Sequence, residues 1–333
     1  MNEQPSAASA HHPHAQLGAL ANLCKASADP LRLQVLRVLC KDSFGVSELC
    51  DLFDVRQPAL SHHLKVLAGA GLVTTRREGN SIFYRRASLG QRPELEALQS
   101  QLFDSVDTIA LPASIAGKLS ELYRQREENS RNFFHNNAHK FHQQRDLIAS
   151  YEQYAGTVAQ LVKDAPLARR KTALEVGPGD GAFLLELAAQ FEQVIALDNA
   201  SSMLEQARAQ AEGAQLNNIK FILGDTKSAE LTGLKADCVV INMVLHHTPA
   251  PGEVFRDVAA RLSPGGVIVV TDLCSHDQIW ARESCGDLWL GFDRAQLAKW
   301  ASDAGLIEIA SDYLAQRNGF QVQVRLFGSP ATD

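Results

Sequence analysis

The chain has 333 residues, of which 45% are hydrophobic and 21% charged, and its formal net charge at pH 7 is −6. This length exceeds one ordinary domain and predicts two buried cores with a connector. The apolar runs are strand-sized, far below the roughly 20 residues that span a bilayer, so we expect no membrane partner. Residues 1–14 lack the basic and apolar regions of a secretion signal, which predicts a disordered tail and a cytoplasmic protein.

The distribution of cysteine and charge further limits the classes of protein to which the chain can belong. Six cysteines without a Cys-x-x-Cys pair predict reduced thiols and exclude a disulfide framework or a zinc ribbon. Residues 25–90 hold ten Lys or Arg against six Asp or Glu, although the whole chain is acidic. Any contact with DNA is therefore expected to be local to this segment.

Short helical segments are predicted from Leu17 onward, spaced as in a helix-turn-helix. Pro30 and Pro58 fall in first turns, where proline is tolerated, and Gly71 ends the last segment. Three leucines of that last helix recur at helical spacing and are predicted to face inward, namely Leu60, Leu64 and Leu67. The side chains predicted to face outward, as donors to phosphates and base edges, are Gln57, Ser61, His62 and Lys65.

Two segments that follow directly, VTTRR and SIFYRR, alternate in polarity and are rich in β-forming residues. The turn Glu78-Gly79-Asn80 joins them, so a β-hairpin is predicted. This hairpin is interpreted as a wing whose arginines meet the DNA backbone, namely Arg76, Arg77, Arg85 and Arg86.

The runs SADPLRLQVLRVL, SELCDLF, QPALSHHLKVLAGAGLV and REGNSIFYR resemble, in this order, the ArsR/SmtB family of winged-helix repressors. The resemblance implies a winged helix-turn-helix DNA-binding domain over residues 15–92 and a homodimer that grips a two-fold, double-stranded operator. The family's metal-sensing Cys-x-Cys is replaced by Gly45-Val46-Ser47, so no metal site is predicted. A winged helix that serves only dimerisation or protein contact is the alternative.

Residues 93–155 are predicted to form a connector of at least two helices, at about 93–108 and 114–152, interrupted at Leu111-Pro112. The family resemblance implies that the first helix pairs across the dimer. Three histidines could share one face of the second helix and in principle hold a metal, namely His135, His139 and His142. A partly solvated face near a cofactor pocket is the favoured interpretation.

From Thr172 onward, apolar strands alternate with loops and helices, which predicts a doubly wound parallel sheet in a domain over residues 156–333. Its ligand is expected outside the carboxyl ends of the strands. Glycines after the first strand allow a sharp turn and close approach of a ligand. Asp198 ends the second strand and suits ribose hydroxyls, Asp225 follows the third strand and suits an adenine amino group, and Asn242 closes the fourth.

The glycine loop alone also fits a dinucleotide-binding fingerprint. Glu175, however, stands just before the first glycine, where a negative charge suits a sulfonium or amino group and opposes a pyrophosphate. The chain also ends with a predicted antiparallel hairpin, IEIASDYL and FQVQVRLFG, which a dinucleotide fold does not need. A methyl donor is therefore preferred to a nicotinamide cofactor.

Residues 172–327 resemble the class I S-adenosylmethionine-dependent methyltransferases, particularly the group similar to ubiquinone and menaquinone biosynthesis enzymes. The resemblance implies a Rossmann-like α/β domain with seven strands and S-adenosylmethionine as its cofactor. The residues that it places at the methionine portion are Glu175, Gly177 and Gly179, with neighbours of Asn242. The resemblance places Asp198 at the ribose. It places Asp225 and Thr226 at the adenine.

Methyl transfer is an in-line displacement at a sulfonium, so the protein mainly aligns the acceptor and a general base is optional. His246 and His247, after the fourth strand, are the candidate catalytic bases, with loop capping or packing as the alternative. Cys274 and Cys285 could bind a soft metalloid, although two thiols without a third are more often ordinary residues.

Three functions stay open at this point. The chain is predicted to be a DNA-binding transcriptional regulator whose C-terminal domain transfers methyl groups from S-adenosylmethionine to a small-molecule acceptor. In the second function, that domain only senses S-adenosylmethionine or S-adenosylhomocysteine and shifts the dimer between two geometries. In the third, the chain is a methyltransferase whose winged helix only dimerises.

Overall fold

The computed structural model describes residues 13–78, 81–87, 89, 92–137 and 146–329. The chain divides into two compact units, residues 1–120 and residues 121–333. Within the described ranges, no helix is both long and apolar enough to cross a membrane. Of the predicted tail, residues 1–12 lie outside the described ranges. The first helix begins at Pro13.

The first unit has the predicted helix-turn-helix and wing. Its helices are α1 (Pro13–Ser27), α2 (Pro30–Val38), α3 (Val46–Phe53), α4 (Gln57–Gly69) and α5 (Glu96–Asp107), the last preceded by a 3-10 turn at Pro93–Leu95. Its strands are β1 (Phe44–Gly45), β2 (Val73–Glu78) and β3 (Ser81–Arg86), arranged antiparallel in the order β1-β3-β2. Strand β1 was not predicted from the sequence, because two residues are too few to show a period.

Local chemistry explains where these helices begin and end. Asp29 caps α2 by accepting a hydrogen bond from the backbone N–H of Arg32 at 2.9 Å, directly before Pro30. Gly71, with φ of +74°, follows α4 in the left-handed region that favours glycine. The three leucines predicted to face inward from α4 are fully buried, which confirms the orientation of that helix.

Arg86 corrects one prediction about the wing. Its guanidinium is buried, donates to both carboxylate oxygens of Asp107 at 2.9 and 2.6 Å, and lies over the Phe103 ring. Its Nε also donates to the carbonyl oxygen of Leu36 at 2.7 Å. The expectation that Arg86 meets the DNA backbone is therefore wrong, because the last residue of β3 faces α5.

The connector also differs from its prediction. Helix α6 spans Ala113–Asn137, and α7 spans Tyr151–Asp164 as a separate element. Ser150 precedes α7 in an extended conformation, and its backbone N–H donates to Oε1 of Gln153 at 2.7 Å in a capping box. A single helix to residue 152 was therefore wrong; His139 and His142 lie outside the described residues.

The second unit is built on a seven-stranded sheet in the order β6-β5-β4-β7-β8-β10-β9. Strands β4 to β8 run parallel, and β10 pairs antiparallel with both β8 and β9. This confirms the predicted Rossmann-like α/β domain and its terminal hairpin. The strands are β4 (Thr172–Val176), β5 (Gln193–Asp198), β6 (Ile219–Leu223), β7 (Ala236–Asn242), β8 (Leu262–Leu273), β9 (Ile307–Ala315) and β10 (Gln321–Gly328).

Helices pack against the strands of this sheet. Val158 and Val162 of α7 lie in the same buried cluster as Phe183 and Leu187, which flank the glycine loop. The remaining helices are α8 (Leu184–Gln190), α9 (Ser201–Gly213), α10 (Pro251–Ala259), α11 (Trp280–Cys285) and α12 (Arg294–Asp303).

We predict that Arg86→Ala lowers the free energy of unfolding of the first unit by about 2 to 3 kcal/mol, because Asp107 and the Leu36 carbonyl lose a partly buried charged donor. All three tryptophans lie between residues 280 and 300, so tryptophan fluorescence reports on the second unit and circular dichroism on both. The urea concentration at which the circular dichroism signal reports unfolding should shift. The exposed Lys65→Ala serves as control and should shift neither signal; an equally stable Arg86→Ala would contradict the structural role.

Candidate functional site

The carboxyl ends of β5 and β6 border a cleft of about 520 Å³. Asn199 and Ser201 line it from the loop after β5, and Gly224 and Asp225 line it from the loop after β6. Helix α6 supplies the opposite lining through Glu127, Arg131, Asn132 and His135. The position outside the strand ends is where ligands bind in sheets of this type.

The loop after β4 can be built only from glycine at two positions. Gly177 has φ of +66°, and a Cβ there would lie 2.5 Å from Cγ2 of Val244. Gly181 has φ of +87°, and a Cβ there would lie 2.8 Å from the backbone of Ala207. Gly179 also has a positive φ, of +60°. The loop is therefore held open to a ligand by backbone geometry that other residues cannot adopt without strain.

Glu175 is the most unusual group beside this loop. It is 1% exposed, and its Oε2 has no hydrogen-bond partner among the described residues. Burial raises the pKa of Glu175 to about 8, and the negative charge of Asp180 adds to the rise, whereas the Asn242 amide opposes it. A buried, unsatisfied carboxyl is costly unless a ligand pairs with it.

Asn242 ends the neighbouring strand β7 in a similar state. Neither its amide nitrogen nor its amide oxygen finds a hydrogen-bond partner within the described ranges. Because β4 and β7 are adjacent and parallel, Glu175 and Asn242 face the same strand-end region. Together they fit a ligand that carries both cationic and hydrogen-bonding groups.

The predicted ribose and adenine residues have distinct surroundings. Oδ1 of Asp198 accepts from the backbone N–H of Ala200 at 2.9 Å, and burial raises its pKa to about 6. Asp225 is exposed and accepts from the backbone N–H of Lys227 at 2.7 Å, which fixes the loop at the cleft. Thr226 is buried and its hydroxyl donates to Asp257 at 2.7 Å, so it holds this loop against α10 and is not among the residues that line the cleft.

The two candidate catalytic histidines lie on a 3-10 turn at Leu245–His247. Nδ1 of the buried His246 donates to Oδ1 of Asp272 at 2.8 Å. Burial opposes the charge of His246, but Asp272 and Asp287 outweigh it and raise the pKa to about 9. Burial and the neighbouring His246 lower the pKa of His247, whose Nδ1 lies 3.2 Å from the Gly286 carbonyl oxygen. His246 thus holds its proton at neutral pH, and both rings are bound to protein groups.

The predicted DNA-contact residues lie on α4 and β2. Gln57, His62 and Lys65 are exposed, and Ser61 is half-buried on the same helix. His63 instead approaches the helix cap, with Nδ1 3.6 Å from Oδ1 of Asp29. On the wing, Arg77 is exposed, and Arg76 and Arg85 are half-buried.

Residues 29–75 match the family described as bacterial regulatory protein, arsR family. The biofilm growth-associated repressor of Agrobacterium fabrum is 46% identical over 79 residues, which are 24% of this chain and 68% of that repressor. The chain belongs to the ArsR family of bacterial regulatory proteins. The repressor SmtB of Mycobacterium tuberculosis is 40% identical to this ArsR-family regulator over 22% of the chain and 56% of SmtB.

The second unit of this ArsR-family regulator matches a different family. Residues 167–303 match the family described as methyltransferase domain. Among solved structures, the N-methyltransferase NodS of Bradyrhizobium japonicum, in complex with S-adenosyl-L-homocysteine, is 16% identical over 63% of this chain and 99% of NodS, with a TM-score of 0.43. YcgJ of Bacillus subtilis is 14% identical over 53% of this chain and 99% of YcgJ, with a TM-score of 0.45.

Two groups of residues at these sites were missed by sequence reasoning. The cleft lining from α6 follows helical spacing, with Glu127, Arg131 and His135 four residues apart, but a polar helical face has no signature of ligand binding. His135 does lie at the cleft, as the interpretation of that face expected. Asp287 belongs to no motif, because only the folded chain brings it to His246.

We predict that Glu175→Gln changes how stability depends on pH. An unfolded glutamate ionises near its ordinary pKa of 4.5, whereas Glu175 in the folded protein ionises near 8. The folded state therefore keeps a proton that the unfolded state releases, and the free energy of unfolding falls as pH rises through this window. Glu175→Gln should remove that decline between about pH 5 and about pH 8, measured by urea unfolding followed by tryptophan fluorescence. Glu192→Gln, at an exposed position, should retain the decline in stability with pH. An unchanged dependence of stability on pH in Glu175→Gln would refute the raised pKa of Glu175.

Proposed function

We propose that this ArsR-family regulator binds operator DNA as a homodimer in the cytoplasm and that its second unit is an S-adenosylmethionine-dependent methyltransferase for a small-molecule acceptor. Support for DNA binding comes from the exposed face of α4, where Gln57, His62 and Lys65 are available to a major groove. The exposed Arg77 on the adjoining strand suits the phosphate backbone. These cations favour DNA binding over a winged helix that only dimerises.

The observation that carries the cofactor proposal is the buried Glu175 beside the glycine loop, whose Oε2 has no hydrogen-bond partner among the described residues. S-adenosylmethionine has a permanent sulfonium charge and an amino group, which suit Glu175 and Asn242, while its ribose suits Asp198. Asp225, Arg131 and His135 border the cleft in which its adenosine would lie. When bound, the cofactor supplies an electrophilic methyl group; the residues of this chain hold and orient it and keep water from it.

A second candidate function is sensing without methyl transfer, and the histidine pair favours it. His246 is paired with Asp272 and keeps its proton, so it is not a free base at neutral pH. His247 contacts the Gly286 carbonyl. Methyl transfer to an acceptor that loses no proton needs no base and therefore remains compatible with the first function. An experiment is needed to separate the two candidate functions.

We predict that Lys65→Glu weakens binding to the protein's own promoter DNA about tenfold or more and reduces the dependence on log salt concentration by about one unit per protomer, because one phosphate contact is replaced by repulsion. Fluorescence anisotropy over a series of salt concentrations measures both. The exposed Lys163→Glu makes the same charge change on α7 and should leave both values unchanged. Identical curves for Lys65→Glu and the wild type would exclude the proposed DNA contact.

We predict that Asp198→Ala weakens binding of S-adenosylmethionine and S-adenosylhomocysteine about 10- to 100-fold in calorimetric titration, because charge-assisted hydrogen bonds to the ribose are lost. Glu192→Ala is the control and should bind normally.

The same titrations are repeated with promoter DNA present. A change of about fivefold or more in DNA affinity on adding S-adenosylhomocysteine, absent in Asp198→Ala, supports sensing. Ligand binding that leaves DNA affinity unchanged supports methyl transfer alone, and normal binding by Asp198→Ala contradicts the site.

A further inference from the structure

A cluster of metal-ligand side chains lies between the loops that follow β7 and α11. His246, His247 and Asp287 each offer one donor atom, and these atoms all lie within 4.8 Å of one another. Their side chains are 2%, 15% and 0% exposed, respectively. The cluster is therefore enclosed by protein and differs from a group of acids on the surface.

Asp287 is the observation that points to a ligand. Both of its carboxylate oxygens are buried, and neither has a hydrogen-bond partner in the described part of the chain. The guanidinium of Arg282 attracts Asp287 electrostatically but makes no hydrogen bond to it. A buried carboxylate whose two oxygens make no hydrogen bond is rare in folded proteins and calls for an ion or a polar group that the side chains alone do not supply.

The distances fit a shared cation better than direct hydrogen bonds. Oδ1 of Asp287 lies 3.9 Å from Nε2 of His246 and 3.8 Å from Nδ1 of His247. Both distances are too long for hydrogen bonds. Two ligands of one tetrahedral zinc ion, each about 2.0 Å from the metal, lie about 3.3 Å apart, so a contraction of about half an ångström would bring Asp287 to that distance from each histidine. The three donor atoms lie within 4.8 Å of one another.

Asp272 orients the first histidine in the manner of a known metal-site support. Its Oδ1 accepts from Nδ1 of His246 at 2.8 Å and from the backbone N–H of Leu273 at 2.7 Å. A carboxylate only accepts, so Nδ1 carries a proton and the other ring nitrogen, Nε2, is directed towards Asp287. Carboxylate–histidine pairs of this kind fix the tautomer and raise the basicity of metal-binding histidines.

The two loops that carry the donors are held together by the backbone. The carbonyl oxygen of His246 accepts from the N–H groups of Leu288 at 2.9 Å and Trp289 at 3.0 Å. The indole N–H of Trp289 donates to the carbonyl oxygen of Thr248 at 2.7 Å. The donor atoms are therefore positioned before any ion arrives, as a preorganised site requires.

We propose that His246, His247 and Asp287 bind one divalent transition-metal ion, with Asp272 as the positioning residue for His246. Two imidazole nitrogens and one carboxylate oxygen suit zinc, cobalt, nickel or iron in the divalent state. The Gly286 carbonyl oxygen, 3.2 Å from Nδ1 of His247, is a fourth donor at the edge of the cluster. Binding through that Nδ1 moves the ring proton of His247 to Nε2, and binding through Nε2 of His246 releases its proton to solvent. This site replaces the prediction that the chain holds no metal.

The site shares no residue with the proposed cofactor contacts or with the proposed DNA contacts. It is also separate from Gly45-Val46-Ser47, where the ArsR resemblance would have placed a thiolate sensor. An ion here joins the loop after β7 to the loop after α11 and adds to the hydrogen bonds that already hold the two loops together. It serves either as a structural clamp or as a Lewis acid for a small acceptor, and metal binding itself is the claim to be tested.

The test uses full-length protein purified without a histidine tag and stripped with a chelator. We expect one cobalt(II) or zinc(II) ion per chain by elemental analysis, and visible cobalt(II) bands typical of nitrogen and oxygen ligands. Because His11, His12 and His14 could chelate metal on their own, a variant with all three changed to Ala is measured in parallel. That variant should bind the ion with unchanged affinity and spectrum.

Two substitutions identify the ligands. Asp287→Asn keeps the shape of the side chain but removes the charge, and should weaken metal binding at least about tenfold; Asp272→Asn should weaken it about 10- to 100-fold through His246. His135→Ala, on α6, is the matched control and should bind normally, and circular dichroism checks that each variant is folded. Three results would overturn the proposal. The stripped wild-type protein could bind no ion, or binding could be lost in the triple-Ala variant alone. Folded Asp287→Asn could also bind as tightly as wild type, with the same cobalt spectrum.

Discussion

The parallel pairing of β4 with β5 on one side and β7 on the other governs the second unit. All carboxyl ends of parallel strands emerge at one edge, and the connections on the two sides of β4 lead away from each other, which leaves a crevice there. Glu175, Asp198 and Asn242 each stand at or beside the last residue of a strand. Residues more than sixty positions apart in the chain thus meet because the hydrogen-bond register of the sheet allows no other arrangement.

The second unit contains acidic groups whose burial is costly. Glu175, Asp272 and Asp287 are all within 3% of complete burial, and each has an oxygen that lacks a hydrogen bond among the described residues. The acids that serve structure differ: Asp237 accepts from Arg169 and from the backbone N–H groups of Lys171 and Thr172. The contrast separates a carboxylate whose hydrogen bonds stabilise the fold from carboxylates with an oxygen left without a hydrogen bond.

Sequence patterns predicted those features that depend on local periodicity and backbone geometry. The alternating strands, the burial of Leu60 and Leu64, and the glycines at positive φ follow from rules that act over a few residues. Arg86 shows the limit, since its position on a wing strand suggests DNA, whereas only the packing of α5 reveals Asp107 beside it. The break before Ser150 was missed because polar helical periodicity continues across it. Asp287 gives no local signal at all, as its meaning depends on two histidines forty residues earlier.

Helix α6 has a further consequence for how the regulator can be taken apart. Arg131 and His135 belong to the cleft although they precede the methyltransferase match, which begins at residue 167. Val158 and Val162 of α7 also precede it and lie in the buried core of the sheet. A fragment cut at the family boundary would expose that core and lack one wall of its own ligand site. The minimal folding piece is therefore longer than the methyltransferase match, and the segment between the two family matches contributes to the core and to the lining of the cleft rather than acting as a spacer.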